Sequence, residues 1–335
     1  MEPLSHLAQV LRWTKASSPT CLRRCYEFKL RGCLADLCGL FANGNDLWSA
    51  FNLLEEQKQT AFLTSPAVAA FLTGGMPSQS ASVIPALAQL LLADIQMSDN
   101  GLSSRGMSYA DKTLSIGTVI KAVDHQSCQD LTGIDFDLRS SGNLNESQLM
   151  RVMAGIREAS GLLQGAAPLA AMLIREYVEV LVLRRSEDPK FLSSSFSRKI
   201  GLVLLTNPNL ENVDQYVLAD ALLHEAIHSI LYVYEFVLGD FIVNPQSAPD
   251  RVTSPWTGAE LPLRSYIHAC IVWYGLYWFW HCVHDSGMGE RARKFRDRSR
   301  RGFLARPVTR GLKNGLPALS REIVNVLGTI ESVMC

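Results

Sequence analysis

The sequence lacks an excess of charge of either sign and an export signal at its start. Its 335 residues include 32 basic and 32 acidic side chains, so the formal net charge is zero. Nucleic-acid-binding domains normally carry a positive excess, so no nucleic-acid partner is expected. The opening MEPLSHLAQVLRW has no cationic segment followed by an apolar one. We therefore expect a cytoplasmic protein.

Hydrophobic runs long enough for a clear membrane span are also missing. The most apolar stretch, 266–283, has 18 residues, at the short limit for crossing a bilayer. His268 and His281 lie within it, its aromatic rings are spread throughout, and Asp285 follows directly. These features predict a buried core helix and no membrane partner.

The eight cysteines show no familiar metal-binding spacing. Four of them cluster early, at Cys21, Cys25, Cys33 and Cys38, in the pattern C-x3-C-x7-C-x4-C. Common zinc and iron–sulfur sites are built mostly from C-x2-C pairs. We expect reduced thiols that pack in the core rather than a metal cluster.

What is present predicts a predominantly helical α+β fold. Residues 1–100 carry apolar residues at helical spacing, and Ser65-Pro66 resembles a helix start. Residues 98–148 are polar and irregular, and no element is assigned to them. The β-branched runs at 177–183 and 200–205 read as two neighbouring strands on either side of a polar loop, 184–199.

A long helix is expected from about residue 212 to residue 238, ended by Gly239. We place a boundary near residue 160. We expect residues 1–160 to form a mainly helical region for substrate binding or scaffolding, and residues 161–335 to form a metal-binding catalytic region on the strength of the motif described next. The latter has a small sheet and the long helix packed on the aromatic-rich helix at 266–283.

The motif that carries chemistry is HEAIH, which lies in the middle of the long helix. Residues four apart share one helix face, so the imidazoles of His224 and His228 can point at one metal ion. The motif is short enough to occur by chance, but its flanks are compatible with a helix, as a functional motif requires.

A third ligand is best sought on the apolar helix. His268 lies 40 residues after His228, far enough for the chain to turn and pack that helix alongside the first. His281 and His284 compete with it, but they are some 20 Å further along the axis. Glu235 lies about 10 Å from His228 along its own helix, so a salt bridge or an indirect role suits it better.

Residues beside His268 suit an anionic group. Arg264 precedes His268 by one turn, and a guanidinium can grip a carboxylate bidentately, although a surface arginine at a helix start is an equal alternative. The preceding SPWTG segment offers the hydroxyls of Ser254 and Thr257 and the indole of Trp256. Turns also use such residues for purely local reasons.

Three blocks in this order, LLHEAIHSILYVYE, SPWTG and LPLRSYIHACIVWYGL, resemble the HExxH-type peptide β-hydroxylases encoded with ribosomally made, modified peptides. The similarity covers roughly residues 200–280, and LTSPAVAAFL also fits that family's N-terminal half. Ala259 stands where relatives often carry an arginine. The resemblance implies an iron(II)- and 2-oxoglutarate-dependent oxygenase that hydroxylates a side-chain β-carbon of a precursor peptide.

The resemblance also implies residue roles. His224 and His228 carry over as iron ligands, and His268, by its position, as the third. In such an enzyme Arg264 with Thr257 or Ser254 could hold the far carboxylate of 2-oxoglutarate, with Trp256 beside them in the cosubstrate site. Glu225 would orient a ligand or the substrate.

Two alternatives stay open. In a zinc-dependent metallopeptidase Glu225 would instead be the general base that activates a zinc-bound water. The other is a non-catalytic peptide-binding protein.

Basic residues concentrate near the end of the sequence. Residues 290–313 include ten basic and two acidic side chains, a net charge of +8. Such runs are usually solvated helix faces. With the family resemblance, we favour docking of the precursor peptide there over binding of nucleic acid.

Overall fold

The computed structural model describes residues 7–13, 20–41, 43–73, 83–99, 119–122, 141–142, 144–287, 289–306, 308–312 and 315–335. These residues are 69% helical with one small multistranded sheet, so the predominantly helical α+β class is confirmed. They fall into two compact units, neither of them continuous in sequence. The first contains Met1–Leu22, Gly155–Ile174 and Asp214–Cys335, and the second contains Arg23–Ala154 and Arg175–Val213.

The N-terminal part of the chain is helical, as its periodicity predicts. Its helices are α1 (Leu7–Val10), α2 (Thr20–Leu40), α3 (Gly44–Asn52), α4 (Glu56–Thr64), α5 (Pro66–Leu72) and α6 (Val83–Asp99). The predicted start at Ser65-Pro66 is confirmed, because the Ser65 hydroxyl accepts a hydrogen bond from the Val68 amide and Pro66 opens α5.

A small sheet belongs to the second unit. Its strands are β1 (Val119–Ala122), β2 (Ser141–Gly142), β3 (Val180–Ser186), β4 (Leu192–Ser195) and β5 (Leu202–Thr206). The two predicted strands correspond to β3 and β5, which are parallel neighbours, so their predicted pairing is confirmed.

The other strands lie where no strand was predicted. β1 runs parallel to β3, β2 is antiparallel to β3, and β4 lies antiparallel to β5 inside the predicted loop 184–199. β4 consists of Leu192 and three serines, and it is held by pairing with its neighbour rather than by a buried apolar face. Both β1 and β2 fall within 98–148, most of which lies outside the described residues.

Two helices follow: α7 (Glu146–Ala166), which carries the chain into the first unit, and α8 (Pro168–Tyr177), which carries it back to the second. The boundary predicted near residue 160 falls within α7, close to Gly155, where the chain passes from the second unit to the first. The sheet, which was grouped with the catalytic region, belongs to the second unit.

Long helices build the first unit: α9 (Gln215–Leu238), α10 (Leu263–Asp285), α11 (Gly289–Ala305), α12 (Val308–Gly311) and α13 (Arg321–Met334). A two-stranded hairpin, β6 (Val252–Thr253) with β7 (Glu260–Leu261), precedes α10. The predicted packing of α9 on α10 is confirmed. Asp214 caps α9 by accepting from the amides of Tyr216 and Val217, and Gly239 ends it with φ +106°.

Both apolar helices belong to the core. By length and composition, α9 alone among the described helices could cross a membrane, and 67% of its apolar window is buried inside the protein. The stretch 266–283 lies within α10, and its buried residues include Tyr274, Phe279 and Trp280. Its prediction as a buried core helix is confirmed.

The early cysteines correct one expectation. Cys38 is buried, but Cys21 and Cys25 are exposed rather than packed in the core. The reason lies in α2, where every fourth residue forms the buried stripe, including Tyr26 and Leu30. A residue next to that stripe is turned about 100° away from it.

Candidate metal centre

The HEAIH motif lies on α9, most of which is buried. His224 and His228 are half-buried and one turn apart, with ring centroids 4.9 Å apart and planes inclined at 56°. Around them, Leu223, Ala226 and Ile227 are fully enclosed in the core. The helix therefore presents the two imidazoles from a rigid, well-packed element.

His268 lies against this pair. Its Nδ1 is 3.3 Å from Nδ1 of His228, and the two rings stack with centroids 5.5 Å apart. Two imidazole nitrogens bound to one ion at about 2.1 Å lie about 3.0–3.4 Å apart in octahedral or tetrahedral geometry. The competitor His281 packs instead on Tyr277 and Trp278. Of the three histidines considered on α10, His268 is the one beside His228.

Glu235 holds His268 from the other side of the imidazole ring. Its Oε2 lies 3.1 Å from Nε2 of His268, and both of its carboxylate oxygens accept hydrogen bonds from Arg264, at 2.7–3.0 Å. The predicted salt-bridging role of Glu235 is confirmed. An Nε2–H donated to Glu235 leaves the lone pair on Nδ1, which is the atom nearest His228.

Sequence reasoning missed this link between Glu235, Arg264 and His268. The signal was present: Glu235 lies seven residues after His228 on the same face of α9, and Arg264 lies one turn before His268. Aligning the two helices so that His228 meets His268 would also have brought Glu235 close to Arg264.

Aromatic side chains enclose the imidazoles. Tyr232 stacks on His228, and its ring centroid is 5.2 Å from that of His268. The Arg264 guanidinium lies over the Tyr232 ring at 5.6 Å, and Trp273 meets His224 edge-on at 6.3 Å. These rings limit the access of water to the histidine nitrogens and favour a site of low polarity.

The surroundings favour the neutral forms of His228 and His268. Burial lowers the pKa of His228 well below its ordinary value, and the neighbouring His224 and His268 lower it further. Burial also lowers the pKa of His268, against the opposing effect of the Glu235 carboxylate. Burial alone would raise the pKa of Glu235, but hydrogen bonds from His268 and Arg264 outweigh it and keep the carboxylate ionised. Neutral imidazole is the form that binds metals.

The kinds of donor gathered here suit a transition metal, and the 3.3 Å contact between the two imidazoles is equally a hydrogen-bond distance. Two neutral imidazole nitrogens stand at ligand spacing, one of them oriented by a carboxylate, and the third imidazole is one turn away. Within the described ranges, no three His, Cys, Asp or Glu side chains are gathered into a complete set of ligands. The fit therefore rests on the chemistry and spacing of the donors.

Glu225 is buried inside the same motif. Its side chain is 3% exposed and interacts with its surroundings. It stands next to His224 in the chain, where it can act through a metal ligand or on a bound water.

The residues predicted to hold a cosubstrate carboxylate are engaged elsewhere. Arg264 is bound to Glu235 through both carboxylate oxygens. The Ser254 hydroxyl accepts from the Thr257 amide, and the Thr257 hydroxyl accepts from the Ala259 amide, so both close the turn. These three side chains do not fit a free 2-oxoglutarate site in the described arrangement.

Trp256 joins the turn to the rest of the first unit. Its Nε1 donates to the Ser299 carbonyl at 2.8 Å, and its ring stacks on Trp273 at 5.8 Å. Because Trp273 also touches His224, Trp256 supports the histidines indirectly.

No family model matches the chain, and no curated protein matches it.

Proposed function

We propose that the protein is a cytoplasmic, iron(II)- and 2-oxoglutarate-dependent oxygenase that hydroxylates a side-chain β-carbon of a ribosomally made precursor peptide. The reaction and substrate come from the family resemblance of the HEAIH, SPWTG and LPLRSYIH blocks. The observation that carries the metal-dependent part is the 3.3 Å approach of His268 Nδ1 to His228 Nδ1.

Three histidines would hold the iron. His228 and His268 supply the pair at ligand spacing, and His224 supplies the nitrogen one turn along α9. Three protein ligands leave positions open on an octahedral ion. Iron(II) with 2-oxoglutarate would supply the oxidising power for hydroxylation of a C–H bond by O₂, with succinate and CO₂ as the co-products.

The other residues prepare this site. Glu235 accepts the His268 Nε2–H and so directs the Nδ1 lone pair towards the other histidine. Arg264 neutralises Glu235 and holds it in place through bidentate hydrogen bonds. Since Arg264 is engaged in this way, we assign it to Glu235, and we assign no residue to 2-oxoglutarate.

Succinate release tests the proposal. Protein purified without oxygen is given iron(II), 2-oxoglutarate and then O₂, with no peptide needed because such turnover often proceeds uncoupled. We expect succinate from the wild type and from His284→Ala, which removes an imidazole about 24 Å further along α10. His268→Ala should release none. Equal activity in the two variants would remove His268 from the site.

A zinc-dependent metallopeptidase is the second candidate. Two observations favour it. Glu225 is buried within HEAIH, and Arg264 is paired with Glu235 instead of being available to bind the carboxylate of 2-oxoglutarate. Glu225→Gln would then lower peptide cleavage by about a thousandfold or more while the zinc stays bound. No succinate with tightly held zinc supports this candidate, whereas neither succinate nor metal supports a non-catalytic peptide-binding protein.

A further inference from the structure

A second polar site lies in the first unit. A cavity of about 370 Å³ is lined by Arg251, Arg306 and Arg310, together with Thr253 and Gly311. All three arginines are exposed, so the cavity can be reached from solution. This volume lies in the range of small-molecule sites, which is roughly 300–1,000 Å³.

The cavity is separate from the histidines. Gly311 backs onto Tyr266, since a Cβ placed on Gly311 would lie 2.7 Å from the Tyr266 hydroxyl oxygen. Tyr266 precedes His268 by two residues, which places the two side chains about 200° apart around α10. The arginines therefore gather on the side of α10 away from the candidate metal centre.

The three arginines have no carboxylate partner in the described part of the chain. Among the described residues, no Asp or Glu oxygen lies within 4 Å of a side-chain nitrogen of any of the three. Arg251 donates to the Glu260 backbone carbonyl, at 3.0 Å, while the Glu260 carboxylate accepts from Thr253. The nearby Glu331 carboxylate accepts from the Thr309 amide.

In the first half of residues 290–313, by contrast, several basic side chains pair with carboxylates. Arg291 pairs with Asp214 and Arg298 with Asp220, each at 2.6 Å. Other cations of α11 pair with Glu290 or Asp297. The positive charge near the start of 290–313 is thus used within the protein, whereas Arg306 and Arg310 face the cavity without an acidic partner in the described part of the chain.

We propose that this cavity binds a multiply charged oxyanion group, a diphosphate or a pair of neighbouring carboxylates. Guanidinium groups match both anions because their planar forks donate two parallel hydrogen bonds to paired oxygens. Three of them around one cavity favour a ligand that carries at least two negative charges. The site needs neither the metal nor the proposed reaction.

Calorimetric titration tests the proposal with two probes, pyrophosphate and a hexaglutamate peptide. We expect saturable binding of at least one, and the probe that binds identifies the source of the anion. Arg306→Gln/Arg310→Gln should weaken that binding by roughly ten- to a hundredfold. Thermal melting of the variant checks its fold, and the exposed Arg251→Lys tests the same site with the charge kept, where we expect weaker binding because the fork is lost.

The matched control is Arg300→Gln/Arg301→Gln. It removes the same charge from exposed positions of α11 that do not line the cavity, so it should leave the affinity within about twofold. Binding of neither probe would overturn the proposal. Equal losses in the two double variants would also overturn it, because they would show a diffuse charge effect.

Discussion

Glu235 decides how His268 is presented. The carboxylate is 5% exposed, and it binds the imidazole with one oxygen and Arg264 with both. We predict that Glu235→Gln lowers affinity for iron(II) or zinc by ten- to a hundredfold, because an orienting carboxylate is lost. Competition with a chelator measures this. Glu260→Gln, at an exposed carboxylate of β7, should leave the affinity unchanged, and an equal loss there would contradict the assignment.

We expect Glu176 to make the stability of the protein depend on pH. Burial raises the pKa of this carboxyl, and its Oε2 has no hydrogen-bond partner among the described residues. A folded-state pKa above the unfolded value means that the folded protein binds the proton more tightly. The resulting stability is fully present below the unfolded pKa and is lost as the pH rises through the folded pKa.

We therefore predict that Glu176→Gln removes this part of the pH dependence. Urea unfolding at about pH 4 and about pH 7 measures it. The wild type should lose more stability towards neutral pH than the variant. Glu187→Gln, an exposed change in the same unit, should keep the wild-type profile, and a Glu176→Gln profile that matches it would refute the prediction.

Among the elements, α11 supports the SPWTG turn through one glycine. A Cβ on Gly302 would overlap the indole of Trp256, so the close approach requires glycine there. We predict that Gly302→Ala lowers the free energy of unfolding by about 1–3 kcal/mol, because the ring must move and strain its bond to Ser299.

Gly328→Ala is the matched control for that change. Gly328 lies inside α13, and a Cβ there meets no atom within 4 Å. The change should stabilise the protein by roughly 0.5–1 kcal/mol, since alanine favours a helix. Denaturant midpoints compare the two variants. If both were stabilising, Trp256 would not be packed against α11 as described.

At the scale of the whole molecule, metal binding should increase the free energy of unfolding. A ligand present at about a hundred times its dissociation constant adds about 2.7 kcal/mol to the folded state. We predict that iron(II) or zinc raises the melting temperature, that a chelator reverses the rise, and that His228→Ala and His268→Ala abolish it. His284→Ala should retain the rise. A rise that survives in both site variants would place the metal elsewhere.

Much of this arrangement follows from sequence, and the reasons are local. His224, His228 and Glu235 are spaced by four and seven residues, which places them on one face of α9. The apolar composition of α10 identifies it as a buried helix. The pairing of β3 and β5 follows from two β-branched runs. Such features depend on neighbours in the chain, where periodicity is informative.

Other features depend on distant partners and leave no local signal. The occupation of Arg264 by Glu235, 29 residues away, removes the cation that was assigned to a cosubstrate. Trp256 finds its place through Ser299, 43 residues away. β4, with three serines, is a strand because its backbone pairs with that of β5. In each case the interaction partner is decided by tertiary packing, which local sequence patterns do not reveal.

The two ion pairs that fasten α11 to α9 bear on how the protein is made. Asp214 and Asp220 meet arginines 77 and 78 residues further along the chain. During synthesis, the HEAIH helix therefore leaves the ribosome well before α11, and contacts of such long range form late. We therefore expect these two ion pairs to form only after α11 has emerged, late in the folding of the nascent chain.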